Sequence, residues 1–375
     1  MRSLFALLAF LFAAVAQAQV PLVPPPTLAA KAWYLLDAGS GQVLAAENAD
    51  ARIEPASLTK LMTTYITFGA IKQGLLKRNQ TVPVSEHAWK MEGSRMFIEP
   101  RKPVTVDELL HGMVTQSGND ACIALAEAIA GTEENFVVMM NREAQRLGLT
   151  NTHFVDATGL TQAEHYSTVH DLAKLTQALI RDFPEFYPLF AEKEYRYNNI
   201  NQPNRNRLLW LDPSVDGVKT GHTEAAGYCL IASSVRGPRR LISVVVGTNS
   251  DNARAQESLK LLNYGFQNYE AVRLYAANQS ISELRVYKGS NRTVKAGFTH
   301  DFVLSMPRGV ADRVKAELVS RQPLIAPLQT GQSVGTLKLT LDGKPFGEYP
   351  VQALEDVSVA GLFGRIWDAI LLFFQ

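Results

Sequence analysis

The amino-acid sequence predicts an α+β protein: a mainly antiparallel sheet covered by helices, a small all-β sandwich and a C-terminal amphipathic helix. Three observations lead there. Strand patterns flank a block of helical periodicity between residues 30 and 271. Short alternating runs broken by turn residues occupy residues 275–355, and apolar side chains recur at helical spacing over residues 361–375. The length of 375 residues suits two or three domains, and 46% apolar with 19% charged residues is ordinary for a chain with a large core.

The chain opens with Arg2, an apolar run from Leu4 to Val15, and Ala16-Gln17-Ala18. This is the pattern of a secretory signal cleaved after residue 18. Residues 19–29, rich in proline, read as an extended leader. Ala32–Asp37 and Gln42–Ala46 follow as strands joined through Ala38-Gly39-Ser40-Gly41. Ser57 then stands at the N-terminal end of a helix over Leu58–Phe68. Residues 75–103 are mixed and contain Gly93-Ser94-Arg95-Met96; they could flank a site, but nothing in their chemistry shows one. Helices are expected over Val106–Val114, Asp120–Ala130, Glu133–Leu147 and Thr168–Ile180. Strands return at Val218–Thr223, Gly227–Val235 and Leu241–Gly247, the last two joined by Arg236-Gly237-Pro238-Arg239. A helix from Asn252 to Tyr269 closes the unit.

Four strand runs mark the β domain: Ser282–Tyr287, Phe302–Met306, Val314–Val319 and Leu337–Leu341. No candidate site residue falls in it. In the tail, Leu362, Phe363, Ile366, Trp367, Ile370, Leu371 and Phe374 share one helical face. Fifteen residues span about 22 Å, short of the roughly 30 Å hydrocarbon core, so the segment is expected to lie in a membrane surface. The alternative is a helix packed on its own β domain.

The formal net charge is +1, and loss of residues 1–18 removes Arg2 and no acid, leaving a neutral mature chain. No basic field argues for nucleic acid. Cys122 and Cys229 lie in apolar runs and read as buried free thiols; a bridge between them is the alternative. None of the seven histidines falls in a His-Glu-x-x-His pattern, and neither metal nor cofactor is expected.

Three short motifs carry the chemistry. Ser57 and Lys60 sit three residues apart, nearly one helical turn, so hydroxyl and amine can share a face. A lysine acts as base only when neutral, which burial and a nearby cation favour. Ser117-Gly118-Asn119 lies in a turn between two helices, and Lys219-Thr220-Gly221 lies on a strand. Ser250-Asp251-Asn252 also fits Ser-x-Asn, but it follows Lys-Thr-Gly and reads as a helix cap. Ser-His-Asp chemistry through His222 is rejected, because no Gly-x-Ser-x-Gly elbow is present and Ser57 already has a candidate base.

In this order the motifs resemble those of the penicillin-recognising serine enzymes, and more narrowly of the low-molecular-mass penicillin-binding proteins that are D-alanyl-D-alanine carboxypeptidases. Pro55-Ala-Ser-Leu-Thr-Lys60, Ser117-Gly-Asn-Asp-Ala-Cys122, Gly217-Val-Lys-Thr-Gly-His-Thr223 and Arg254-Ala-Gln-Glu-Ser258 carry the likeness. It implies a serine β-lactamase/transpeptidase-like α/β catalytic domain. Ser57 would be the nucleophile and Lys60 its base, kept neutral by Lys219 and by exclusion of water. Ser117 would relay a proton to the leaving D-alanine, and Asn119 would orient Lys60 and the substrate amide. Backbone N–H groups of Ser57 and His222 would form the oxyanion hole. Lys219, Thr220, Gly221 and Arg254 would bind the substrate. The implied partners are peptidoglycan peptides ending in D-Ala-D-Ala, β-lactam antibiotics and, through residues 361–375, the periplasmic face of a bacterial inner membrane.

Three rivals are distinguishable. A class A β-lactamase needs a deacylating glutamate between the second and third motifs, where Glu164 is the candidate, but Ala163-Glu164-His165-Tyr166 does not resemble that loop. An endopeptidase would differ in the openness of its groove. A non-catalytic cell-wall binder would have no need of an activated serine.

Overall fold

The computed structural model describes residues 23–373, so the expected signal segment and Phe374 lie outside the described residues. The chain divides into two compact units, one spanning Pro25–Ala271 and one beginning at Val272.

Residues 23–31 carry no regular element before the first sheet strand. That sheet is built from β1 (Ala32–Asp37), β2 (Val43–Glu47) and, much later in the chain, β3 (Val215–Thr223), β4 (Gly227–Arg236) and β5 (Arg239–Thr248). The order is β2-β1-β5-β4-β3, with every pair antiparallel. Both faces of β1 are buried, by alternate residues. Tyr34 and Leu36 join the core of the helical block, whereas Trp33 and Leu35 meet Leu261 and Leu262 of the closing helix, Asp251–Asn268. The period of two along the strand therefore places the sheet between two helical layers.

The helical block comprises α1 (Lys60–Lys72), α2 (Val106–Thr115), α3 (Asn119–Ala130), α4 (Glu133–Arg146) and α5 (Val169–Asp182). Helix α2 starts at a capping box: Glu108 N–H donates to Thr105 Oγ1, and Thr105 N–H donates to Glu108 Oε2. Ser250 caps the closing helix, hereafter α6, by accepting from Ala253 N–H at 3.0 Å, the role its position suggests. The first helix differs from expectation. Ala56–Thr59 forms a 3₁₀ turn, so Ser57 lies inside a tight turn and its hydroxyl caps nothing. Ala56 is held at φ +48°, a conformation a non-glycine residue adopts only when its surroundings impose it.

In the second unit a six-stranded sheet and a two-stranded sheet enclose one core, which includes Val294, Leu304, Met306, Leu337 and Val351. Four of the strands, Tyr269–Tyr275, Thr293–Gly297, Leu324–Ile325 and Lys344–Ala353, lie outside the four expected runs. A terminal helix, α7 (Leu362–Phe373), follows. Its Asp368 accepts from Lys288 N–H at 2.5 Å, while Leu362, Phe363, Ile366, Trp367 and Ile370 are exposed.

Candidate active site

The 3₁₀ turn carrying Ser57, the α2–α3 turn carrying Ser117, and edge strand β3 meet at a cleft of about 550 Å³. Ser57, Ser117, Thr220, Gly221, His222 and Arg254 line it. Lys60, Lys219 and Asn119 are buried behind them. The glycine of Lys-Thr-Gly makes this approach feasible. A Cβ on Gly221 would lie 3.2 Å from both Ala56 Cβ and Pro55 O, pressing the strand away from the serine turn.

Lys60 Nζ stands 3.1 Å from Ser57 Oγ and 2.7 Å from Thr158 O. Its burial lowers the amine to about 8; Arg205 lowers it as well, while Cys122, Asp156 and Asp120 oppose the shift. Burial also takes Lys219 well below the ordinary lysine range, and the cations Lys60, Arg205 and Arg254 depress it further. Dehydration is thus the main cause for Lys60, and the cation that assists it is Arg205, where the sequence pointed to Lys219. Lys219 Nζ donates to Ser117 Oγ at 2.8 Å and to Thr220 O at 3.0 Å. Ser117 adopts φ +66°.

Asn119 behaves differently from the sequence expectation. Its Nδ2 donates to Glu92 O at 2.6 Å and its N–H to Ser94 O at 2.6 Å, so it anchors the 92–95 loop and not Lys60. That loop supplies Gly93 and Ser94 to the cleft wall. Its neighbour Asp120, buried, accepts from Met96, Phe97 and Ile98 N–H groups at 2.8–3.2 Å and holds the next stretch. The side chain of His222 is exposed, with its ring 4.0 Å from the Tyr228 ring. Arg254 is buried, pairs with Asp251, donates to Gly221 O at 3.2 Å and stacks over Tyr228. With Arg205 and Arg207 it makes one end of the cleft cationic.

Several of these residues escape the motif reading: Asp120, Asp156, Thr158 and Arg205. Asp120 had a visible signal in adjoining Ser-x-Asn, and Arg205 in its polar Asn204-Arg205-Asn206 setting. Glu164 is exposed and does not line the cleft, so the glutamate of the β-lactamase alternative is missing from it. Cys122 and Cys229 are buried and unbridged, and burial pushes their thiols up to about 12 and about 11. Among the described residues no cluster of three or more metal-ligating side chains occurs.

A serine contacting a buried lysine, with a Ser–Lys pair opposite and a cationic end, defines a serine acyl-transfer enzyme of the penicillin-recognising class. Residues 17–250 match the family model described as D-alanyl-D-alanine carboxypeptidase, and residues 269–359 match the penicillin-binding protein 5 C-terminal domain. The chain belongs to the D-alanyl-D-alanine carboxypeptidase family. It is similar to the D-alanyl-D-alanine carboxypeptidase DacC of Escherichia coli, 44% identical over 98% of this chain and 94% of that one. Among solved structures, penicillin binding protein 5 from Haemophilus influenzae superposes with a TM-score of 0.86 at 42% identity, covering 90% of this chain and 99% of that one. Penicillin-Binding Protein D2 from Listeria monocytogenes, in its ampicillin-bound form, gives a TM-score of 0.60 at 30% identity, over 65% of this chain and all of the other.

Proposed function

We propose that the protein removes the terminal D-alanine from peptidoglycan peptides ending in D-Ala-D-Ala, through an ester on Ser57. The observation that carries this is the 3.1 Å contact between Ser57 Oγ and a lysine amine that burial lowers to about 8. Lys60 takes the hydroxyl proton as Ser57 Oγ attacks the carbonyl of the penultimate D-alanine. The oxyanion accepts from the backbone N–H groups of Ser57 and His222, each such donor being worth about 3–4 kcal/mol. As the C–N bond breaks, Ser117, held by Lys219, relays to the departing amine the proton that Lys60 took from Ser57, so that Lys60 is again neutral. Water then hydrolyses the ester. Thr220, Lys219 and Arg254 receive the substrate's terminal carboxylate, for which a fixed guanidinium is suited. A β-lactam offers the same attack on a cyclic amide whose amine stays tethered.

The test is D-alanine release from a synthetic peptide ending in D-Ala-D-Ala, followed against pH. The base must be unprotonated. The second-order rate should therefore climb about tenfold per pH unit and level off above about 8. A rise continuing beyond pH 10, as for an ordinary lysine, or no release at all, would contradict the proposal.

We infer further that the protein works outside the cytoplasmic membrane and rests on it through α7. Residues Phe363 and Trp367 are 88% and 62% exposed on a helix of twelve residues, about 18 Å long, and among the described residues no helix is long and apolar enough to span a bilayer. Arg365 and Asp368 offset each other, so apolar burial supplies the affinity. A chain ending at Asp356 should lose sedimentation with phosphatidylethanolamine–phosphatidylglycerol vesicles and keep D-alanine release. Full-length binding should vary little with salt.

A further inference from the structure

The turn that receives Lys60 is fixed from several directions at once. Asp156 Oδ1 accepts from Thr158 N–H at 2.7 Å, from Thr158 Oγ1 at 2.9 Å and from Gly159 N–H at 2.6 Å. Its Oδ2 accepts from Gln162 Nε2 at 3.1 Å. Between these anchors, Ala157 O accepts from Thr63 Oγ1 and Cys122 Sγ, each at 2.8 Å, and Ala157 N–H donates to Glu133 Oε1 at 2.9 Å. The turn then meets both halves of the Ser-x-x-Lys motif. Thr158 O holds Lys60 Nζ, while Gly159 lies so close beneath Ala56 that a Cβ would fall 1.8 Å from Ala56 O.

We propose that Asp156 is a positioning residue for the reaction: its carboxylate sets the Thr158 carbonyl, which sets the Lys60 amine against Ser57. This rests on the reading of Lys60 as the base. Carbonyl oxygens can point in many directions from an unrestrained loop. Here one carboxylate oxygen gathers two consecutive backbone N–H groups and the hydroxyl between them, which fixes the peptide planes on either side of Thr158. The carboxylate is itself buried, so the clamp is dry.

The same charge acts on the amine. Lys60 is faced by Asp120 and Cys122 of α3, by Arg205, by Lys219 of β3 and by Asp156; the carboxylate of Asp156 favours the ammonium form. Asp156 in turn faces Lys60, Glu133 and His165. Burial lowers His165, whose Nδ1 accepts from Val155 N–H at 3.2 Å and lies 3.4 Å from Asp156 Oδ2, while its Nε2 meets Thr59 Oγ1 at 2.8 Å. The imidazole thus stands between the Asp156 carboxylate and the serine turn and braces the turn from the other side.

The experiment compares full-length wild type with Asp156→Asn, Asp156→Ala and Lys60→Ala, reading acylation by a fluorescent penicillin between pH 6 and 10, with thermal melting as a folding check. Asparagine retains an oxygen for the two N–H groups but lacks the charge. Its ascending limb should move about one pH unit lower, since loss of a nearby opposite charge destabilises the ammonium. Alanine releases the turn, and its plateau rate should fall about 100-fold, the scale expected of an ångström-sized displacement of a reacting group. A wild-type midpoint for Asp156→Asn would overturn the inference, as would a wild-type plateau for a folded Asp156→Ala. Should Asp156→Ala fail to fold, the Asn midpoint decides, because a purely structural role would lower the amount of active enzyme without moving it. Acylation of Lys60→Ala at the wild-type rate would instead overturn the reading of Lys60 as base, a separate result.

Discussion

Ser57→Ala should abolish D-alanine release and leave no covalent label from penicillin, a loss of about 10⁴-fold or more. The size follows from the arrangement around it. In the proposed mechanism Lys60, Ser117 and Lys219 act on protons that move only when an oxygen attacks, so removing that oxygen makes the whole set idle at once. Stability should hardly change. Ser57 lies in a 3₁₀ turn whose position depends on the closeness of Gly159 and Gly221 to Ala56, and its hydroxyl caps no backbone group. The measurement pairs peptide hydrolysis with mass spectrometry after penicillin treatment. A stable adduct on the folded variant, or residual turnover within 100-fold of wild type, would place the nucleophile elsewhere.

Lys60→Met separates catalysis from stability in the opposite way. Activity should fall roughly 10³-fold or more with the loss of the base. Stability should hold or rise. Lowering a buried lysine from 10.5 to about 8 corresponds to about 3 kcal/mol against the folded state at pH 7. This penalty is present in full below pH 8 and fades as pH rises toward the unfolded value, so the stability advantage of methionine should shrink above pH 9. The variant leaves Thr158 O without its donor, a cost of about 1–3 kcal/mol that offsets part of the gain. Melting curves at pH 7 and pH 10 check this. A variant much less stable than wild type at pH 7 would mean that the lysine supports the fold more than it strains it.

The parts of the site legible in the sequence are those written as contiguous motifs on ordinary elements. Ser57–Lys60 needs only helical spacing, and Lys219-Thr220-Gly221 only a strand. The place of Asp156 was not legible, because its proposed role runs through a carbonyl two residues away that happens to face α1. Asn119 illustrates the same limit: its residue type was clear, but its amide turns to Glu92 because the 92–95 loop folds over the start of α3. In the fold, the layered order of the first unit could be read from hydrophobic periodicity. The strand Lys344–Ala353 was hidden by Pro345, Gly347 and Pro350, which break the usual strand pattern; Pro345 and Gly347 flank a register shift in the pairing with Ser333–Leu341, and Pro350 pairs with Thr336. The start of α1 was misjudged because Ala56 stands at φ +48° and opens a 3₁₀ turn, for which the absent side chains of the distant Gly159 and Gly221 leave room.

The sheet order has a consequence for how the first unit comes into being. Strand β1 pairs with β5, joining Leu35 to Ser243 across most of the unit. Until residues 239–248 have been synthesised, β1 and β2 are a lone hairpin, which is marginal in water. The helices around Ser57 likewise have no floor to rest on. Maturation of this unit is therefore a late, concerted event governed by long loop closure, and a nascent chain stopped short of β5 would stay open, soft and catalytically silent.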